Sequence, residues 1–190
     1  MANLRHDRFN AQHMNPYYMQ LLEGRTIQVM GGINDQLASR VIMELHYLDN
    51  DNPSLPITLE IMSGGGDVYA GLAIIDAAKL ATAPIRTVGL GLVASMAAMI
   101  LSCAGDMGER YVTPNCEVMI HQVLTGMSGS QSDIAIAAQH ILSIRDRLDS
   151  LLAGATGKEI DEIHCATDRD NWFNAYEAIS FGLADKIAGE

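Results

Sequence analysis

Between Thr26 and Leu90 the apolar positions switch repeatedly between two periods. Thr26-Ile27-Gln28-Val29-Met30 alternates and predicts a strand, closed by Gly31-Gly32. Asn34 then stands as a helix cap ahead of Leu37, Val41, Leu45 and Leu48 at helical spacing, with Pro53 and Pro56 blocking continuation. Ile57-Thr58-Leu59-Glu60-Ile61 returns to period two and leads into Ser63-Gly64-Gly65-Gly66. A helix is predicted from near Asp67 through Ala78, and a third strand over Ile85 to Leu90. This β-α-β-α order implies right-handed crossovers and a mainly parallel sheet, in which ligands collect where strand C-termini meet helix N-termini.

One polar side chain interrupts the next apolar run. Ser95 lies inside Gly91-Leu92-Val93-Ala94-Ser95-Met96-Ala97-Ala98-Met99-Ile100-Leu101, at a predicted strand-to-helix junction. A hydroxyl there sits beside unpaired backbone N–H groups and the positive end of the helix dipole, where a developing oxyanion is stabilised. The plainer reading is a helix cap or a small packing residue. The loop Gly64 to Gly66 falls at the neighbouring strand end, so the two are predicted to be spatial neighbours. A glycine triplet makes a tight turn, and it also lets backbone N–H groups approach a substrate carbonyl.

Two later segments carry candidate partners. Val118-Met119-Ile120-His121-Gln122 reads as a buried strand with an imidazole at its tip, and Thr167-Asp168-Arg169-Asp170-Asn171-Trp172 as a polar turn between two helical stretches. Ser, His and Asp can act as nucleophile, base and orienter, a set recognised by geometry rather than chain order. Chemistry alone does not choose between Asp168 and Asp170. Between these segments a single long helix is predicted from Ser132 to about Ala155, with apolar residues on more than one face of its first half. Asn174 and Glu177 have capping-box spacing, and Gly182 is placed to end that last helix.

Composition narrows the classes. The chain of 190 residues suits one domain, and 48% hydrophobic against 18% charged residues leaves few charges for a monomer's surface, so oligomerisation is expected. A net charge of -11 argues against nucleic acid or an anionic membrane as a partner. Cys103, Cys116 and Cys165 fit neither a disulfide framework nor a zinc site and are expected as buried small residues. His6, His13, His46, His140 and His164 show no metal-ligand spacing, so neither a metal nor a cofactor is expected. Residues 1–20 have no apolar stretch of a secretory signal, and no segment is long enough to span a bilayer, which leaves a cytoplasmic location as the expectation.

The motifs Gly91-x-x-Ala94-Ser95-Met96, Pro114-Asn115-x-x-Val118-Met119-Ile120-His121-Gln122 and Arg169-Asp170-Asn171, followed by Ala175-x-Glu177-Ala178-x-x-x-Gly182-Leu183-x-Asp185, resemble the active-site blocks of the caseinolytic protease family, the ClpP serine peptidases. The resemblance runs from about Leu21 to the C-terminus. It implies an α/β fold of the ClpP/crotonase-like type, a repeated β-β-α superhelix with a protruding handle of one long helix plus a strand. It divides the chain into an N-terminal segment, 1–20, mobile or axial, and a single peptidase domain, 21–190, with the handle at about 123–155 and its strand region from Gly126 to Gln131. It implies a triad of Ser95, His121 and Asp170, with the Gly66 and Met96 amides as oxyanion hole, and selects Asp170 over Asp168. Arg169 becomes a residue that pairs across a subunit boundary.

The same resemblance implies an ATP-dependent endopeptidase: a homo-oligomer of two stacked heptamers, supplied with unfolded polypeptides by an AAA+ unfoldase of the Clp type. The chain departs from the family pattern in two places. Gly64 stands where relatives commonly carry the proline of Asn-Ser-Pro-Gly-Gly, which predicts a looser loop, and Met1 to Asn10 does not resemble the usual axial segment. Alternatives are a phage-type maturation protease of the same clan and a catalytically silent subunit of a mixed ring. An acyl-CoA enzyme of the crotonase type would share the fold without Ser95, His121 and Asp170.

Overall fold

The computed structural model describes residues 16–124, 126 and 128–190. Most of the predicted N-terminal segment, with His6 and His13, therefore lies outside the described residues, as do positions 125 and 127. A short helix, α1 (Pro16–Glu23), precedes the first strand, β1 (Thr26–Met30). Its Tyr18 hydroxyl bonds Glu44 and accepts from Arg40 at 2.7 Å, which ties α1 to the next helix, α2 (Asp35–Asp51). The Asn34 side chain accepts from Leu37 N at 3.0 Å, and Leu37, Val41, Leu45 and Leu48 form the buried face of α2, as the spacing predicts.

Strand β2 (Ile57–Ser63), helix α3 (Val68–Leu80) and strand β3 (Ile85–Ala94) follow, and β1, β2 and β3 pair in parallel. β3 runs four residues beyond the predicted end and, besides β2, has two further neighbours. Its first half, Thr87 to Gly89, pairs with β4 (Arg110–Val112); its second half, Leu92 to Ala94, pairs with β5 (Glu117–Ile120). Gly91, at φ 60°, lies between the two halves. The end of β3, still paired with β2 at Val93, leads into helix α4 (Met96–Ala104), whose residues are all buried.

After β5 comes the long helix α5 (Gln131–Thr156), capped by a reciprocal Ser130–Asp133 box and ended by Gly157 in the left-handed region. Helix α6 (Ile160–Ala166), strand β6 (Asn171–Asn174), helix α7 (Ala175–Phe181) and strand β7 (Lys186–Ile187) complete the order. β6 pairs antiparallel with β5, and β7 pairs parallel with β4. The region after Asp170 is thus a strand, not the continuation of a turn into a helix. Its sequence, Asn-Trp-Phe-Asn, has no clear period and becomes a strand because β5 offers it a free edge.

Two further expectations change. Cys103 and Cys116 are buried, but Cys165 is exposed, because α6 is short and only Ile163 turns inward. Among the described residues between His121 and Ser130 there is no strand where the handle strand was expected; position 127 of that region lies outside the described residues. The first half of α5 stands exposed, with Ile134, Ile136 and Leu142 uncovered, whereas Leu152 and Ala153 near its end are buried.

One buried cation fixes the end of α5. Arg110, 2% exposed, donates from Nε and Nη2 to Asp185 and from Nη1 to the carbonyls of Ser102 at 3.3 Å and Ala155 at 2.8 Å. Asp185 also accepts from the Gly108 and Arg110 amides. Burial alone would raise the Asp185 carboxyl, but the hydrogen bonds and charge of Arg110, with the Gly108 amide, outweigh it and hold the group below its ordinary value.

Candidate active site

Ser95 sits at the turn from β3 into α4 with φ 58° and ψ -124°, a conformation rare for a residue with a side chain. Its N–H donates to Met119 O at 2.8 Å, which locks the turn to β5. The hydroxyl makes no capping bond to α4, so the helix-cap reading of this serine does not hold. Strain at such a turn costs about 1–3 kcal/mol and persists only where the surroundings impose it. Here the surroundings are buried strands on both sides.

The glycine loop closes against this turn. A Cβ on Gly65, at φ 95°, would lie 2.7 Å from Ser95 Cβ and 3.1 Å from Met96 N, so only glycine admits the approach. A Cβ on Gly66 would lie 2.2 Å from Ile33 O. The loop is pinned by Gly65 N donating to Ser63 Oγ at 3.0 Å, Ile33 N to Gly65 O at 2.9 Å, and Asp67 N to Ile33 O at 2.8 Å. Among the described residues, no acceptor meets the N–H of Gly66 or of Met96. Gly64 has open space around its Cβ direction and no left-handed φ; the hydrogen bonds and close contacts of the loop fall on its neighbours.

His121 is the first residue beyond β5, and Asp170 the last before β6. In the antiparallel register Ile120 faces Asn171, so His121 and Asp170 are the next facing positions. Gln122 Nε2 holds the turn by donating to Asp168 O at 2.6 Å. Three adjacent strand ends, of β3, β5 and β6, thus bring Ser95, His121 and Asp170 to one corner of the molecule. The contact between the last two is not made. His121 Nδ1 is buried with no partner among the described residues, and Asp170 is exposed. Arg169 is exposed too, and its Nε lies 3.6 Å from Asp168 rather than from any more distant residue.

A cavity of about 280 Å³ opens beside this corner, lined in part by Gly66, Ser95, Met96 and His121. Its apolar walls include Val68, Met99, Leu148 and Leu152, and α5 adds Arg145 and Asp149, joined by Thr167 from the end of α6. Motif reading missed these α5 residues. Leu148 and Leu152 are legible as an apolar i, i+4 pair, but Arg145 and Asp149 look like the solvent side of an amphipathic helix. His46, His140 and His164 all lie outside this corner. Among the described residues no cluster of His, Cys, Asp or Glu could hold a metal ion, and no helix is long and apolar enough to cross a membrane.

The arrangement can present a hydroxyl, an imidazole and two free amides to one peptide carbonyl. A family model described as Clp protease matches residues 9–190. The match spans every element above, from α1 to β7, and carries with it a peptidase activity and a mixed α/β fold of the ClpP type. The chain therefore belongs to the Clp protease family.

Proposed function

We propose that the chain is a serine endopeptidase in which Ser95 is the nucleophile, His121 the general base and acid, Asp170 the orienter of His121, and the Gly66 and Met96 amides the oxyanion donors. The observation that carries the reading is the strained Ser95 turn, whose hydroxyl caps nothing and lines a cavity with His121. Ser95 Oγ attacks the peptide carbonyl as His121 takes its proton; the tetrahedral oxyanion lies between the two amides. His121 then protonates the leaving amine, and water hydrolyses the acyl-enzyme by the same route.

The site works within an assembly. Residues 21–190 form the peptidase domain, with 123–155 as a handle that joins two heptameric rings of the same chain. Two features support this: the apolar residues uncovered on the first half of α5, and the His121 Nδ1 that awaits an acceptor. The enclosed chamber takes unfolded polypeptides in the cytoplasm from an AAA+ unfoldase of the Clp type. Unfolding a substrate costs about 5–15 kcal/mol and must be driven from outside. A catalytically silent subunit is the second reading, favoured by the same unmet His121.

A fluorophosphonate probe separates the two readings. The assembled protein should carry one adduct, at Ser95, by peptide mapping, and Ser95→Ala should lose both adduct and peptidase activity. An intact particle without an adduct, or with one elsewhere, would overturn the nucleophile assignment and leave the silent subunit. Short peptides should be cut without ATP, and folded proteins only with the unfoldase.

A further inference from the structure

The first half of α5 stands away from the body of the chain: Ile134, Ile136 and Leu142 are exposed, whereas Asp149, Leu152 and Ala153 near its end are buried. Among the described residues, one side-chain hydrogen bond ties positions 131–144 of this helix to another element. Tyr69 Oη lies 2.7 Å from His140 Nε2. The two side-chain rings also stack, with centroids 6.5 Å apart and planes 15° from parallel. Tyr69 is 52% exposed and His140 is exposed too, so burial in the core places neither of them. Each gives up side-chain freedom for a partner 71 positions away in the chain.

Tyr69 belongs to the first turn of α3, and that turn is built into the site. The Asp67 side chain caps it by accepting from Ala70 N at 2.8 Å, and Asp67 N donates to Ile33 O at 2.8 Å. Gly66, the source of one proposed oxyanion amide, immediately precedes this cap. A Cβ on Gly71 would lie 2.3 Å from Met96 Cγ, so α3 packs directly on the residue that supplies the other. Close-packed groups transmit displacement instead of absorbing it.

We infer that Tyr69 and His140 are a pair of positioning residues, a latch through which the projecting half of α5 sets the place of the first turn of α3 and, with it, of the Gly66 and Met96 amides. The link to catalysis rests on the serine-peptidase reading; the coupling of α5 to the glycine loop does not. On that reading a second heptamer covers Ile134 and Ile136, and the latch carries its presence to the oxyanion donors.

Hydrogen exchange by mass spectrometry on the full chain reads the latch whether or not the protein is active. Tyr69→Phe and His140→Phe each keep an aromatic ring and remove one end of the hydrogen bond, with little change in helix propensity at position 140. At matched oligomeric state, each should speed exchange over positions 131–144 by roughly two- to tenfold, the net worth of one hydrogen bond in a local opening. Exchange should also rise at the Ile33 and Asp67 amides that hold the glycine loop, with the urea midpoint unchanged. The double variant should add nothing to either single one. In hydrolysis of a short peptide, Tyr69→Phe should lower kcat about threefold and leave KM as it was, since the hydroxyl meets α5 and not the substrate.

Exchange over 131–144 unmoved in Tyr69→Phe overturns the latch, as do single-variant effects that simply add. Faster exchange there with Ile33, Asp67 and kcat all unmoved overturns the positioning role. A change confined to KM makes Tyr69 a substrate contact and overturns it as well. A protein that never labels at Ser95 removes the serine-peptidase reading, and exchange at Ile33 and Asp67 then still decides whether α5 and the glycine loop are coupled.

Discussion

The two sides of the cavity are held in different ways. On one side the Ser95 turn and the glycine loop are fixed by buried strands, by Met119 O and by Ile33, and among the described residues the Gly66 and Met96 amides lack acceptors. Elsewhere around it, among the described residues, His121 Nδ1 lacks a hydrogen-bond partner, Asp170 is exposed, and the first half of α5 leaves apolar residues uncovered. The first side comes from consecutive β-α units that satisfy one another locally. The second gathers segments far apart in the chain, and on the proposed reading a neighbouring chain meets their polar groups.

Four perturbations sharpen this contrast. The largest effect is expected at Asp185→Asn, which strands the buried Arg110 and should cost about 3–5 kcal/mol at neutral pH. Because the Asp185 carboxyl is held below its unfolded value, its contribution is fully present above about pH 4 and is lost as pH falls through the lower folded value. Urea unfolding at neutral and acid pH should therefore show the gap between wild type and variant closing on the acid side. Equal gaps at both ends would contradict the assignment.

Next is Gly65→Ala, whose methyl group would press on Ser95 Cβ and Met96 N. Loss of an oxyanion donor predicts a fall of about 10²–10³ in kcat. Steady-state hydrolysis of a short peptide measures it, and a near-normal kcat would mean that the Met96 amide takes no part.

On the opposite side, Ile136→Ser should change the stability of the isolated chain by less than about 0.5 kcal/mol, since the residue is 69% exposed. Yet it should raise the dissociation constant between rings about tenfold, an effect within the worth of one buried isoleucine. Mass photometry on dilution reads this directly. A large loss of chain stability would instead place the first half of α5 within the chain's own core.

Smallest is Gly64→Ala, where the Cβ meets nothing within 4 Å and φ is not left-handed. It should stabilise by about 0.4–1 kcal/mol through the unfolded state, read as a rise in melting temperature. Destabilisation would show that the loop needs glycine there after all.

The same contrast governed what could be read from sequence. β1, α2, β2, α3 and the caps at Asn34 and Asn174 were legible because their signals are local: periodicity, then a capping side chain, then glycine or proline. Ser95 stood out as a lone hydroxyl in an apolar run. The short strands β4, β6 and β7 were not legible, since a segment such as Arg110-Tyr111-Val112 is made a strand by its neighbours rather than by its own pattern. Arg110 and Arg145 were equally hidden. A charged residue is read as solvent-facing until tertiary structure brings a carbonyl, a carboxylate or a cavity against it.

The backbone at Ser95 also says something about how this position can change over generations. At φ 58° a side chain is a burden that glycine would lift, so stability at position 95 slopes away from serine. Every drift toward a more comfortable fold at that residue is, on the proposed reading, a drift toward an inert one. On that reading serine stands at position 95 against its own conformational preference, kept by what its hydroxyl does and not by what its backbone favours.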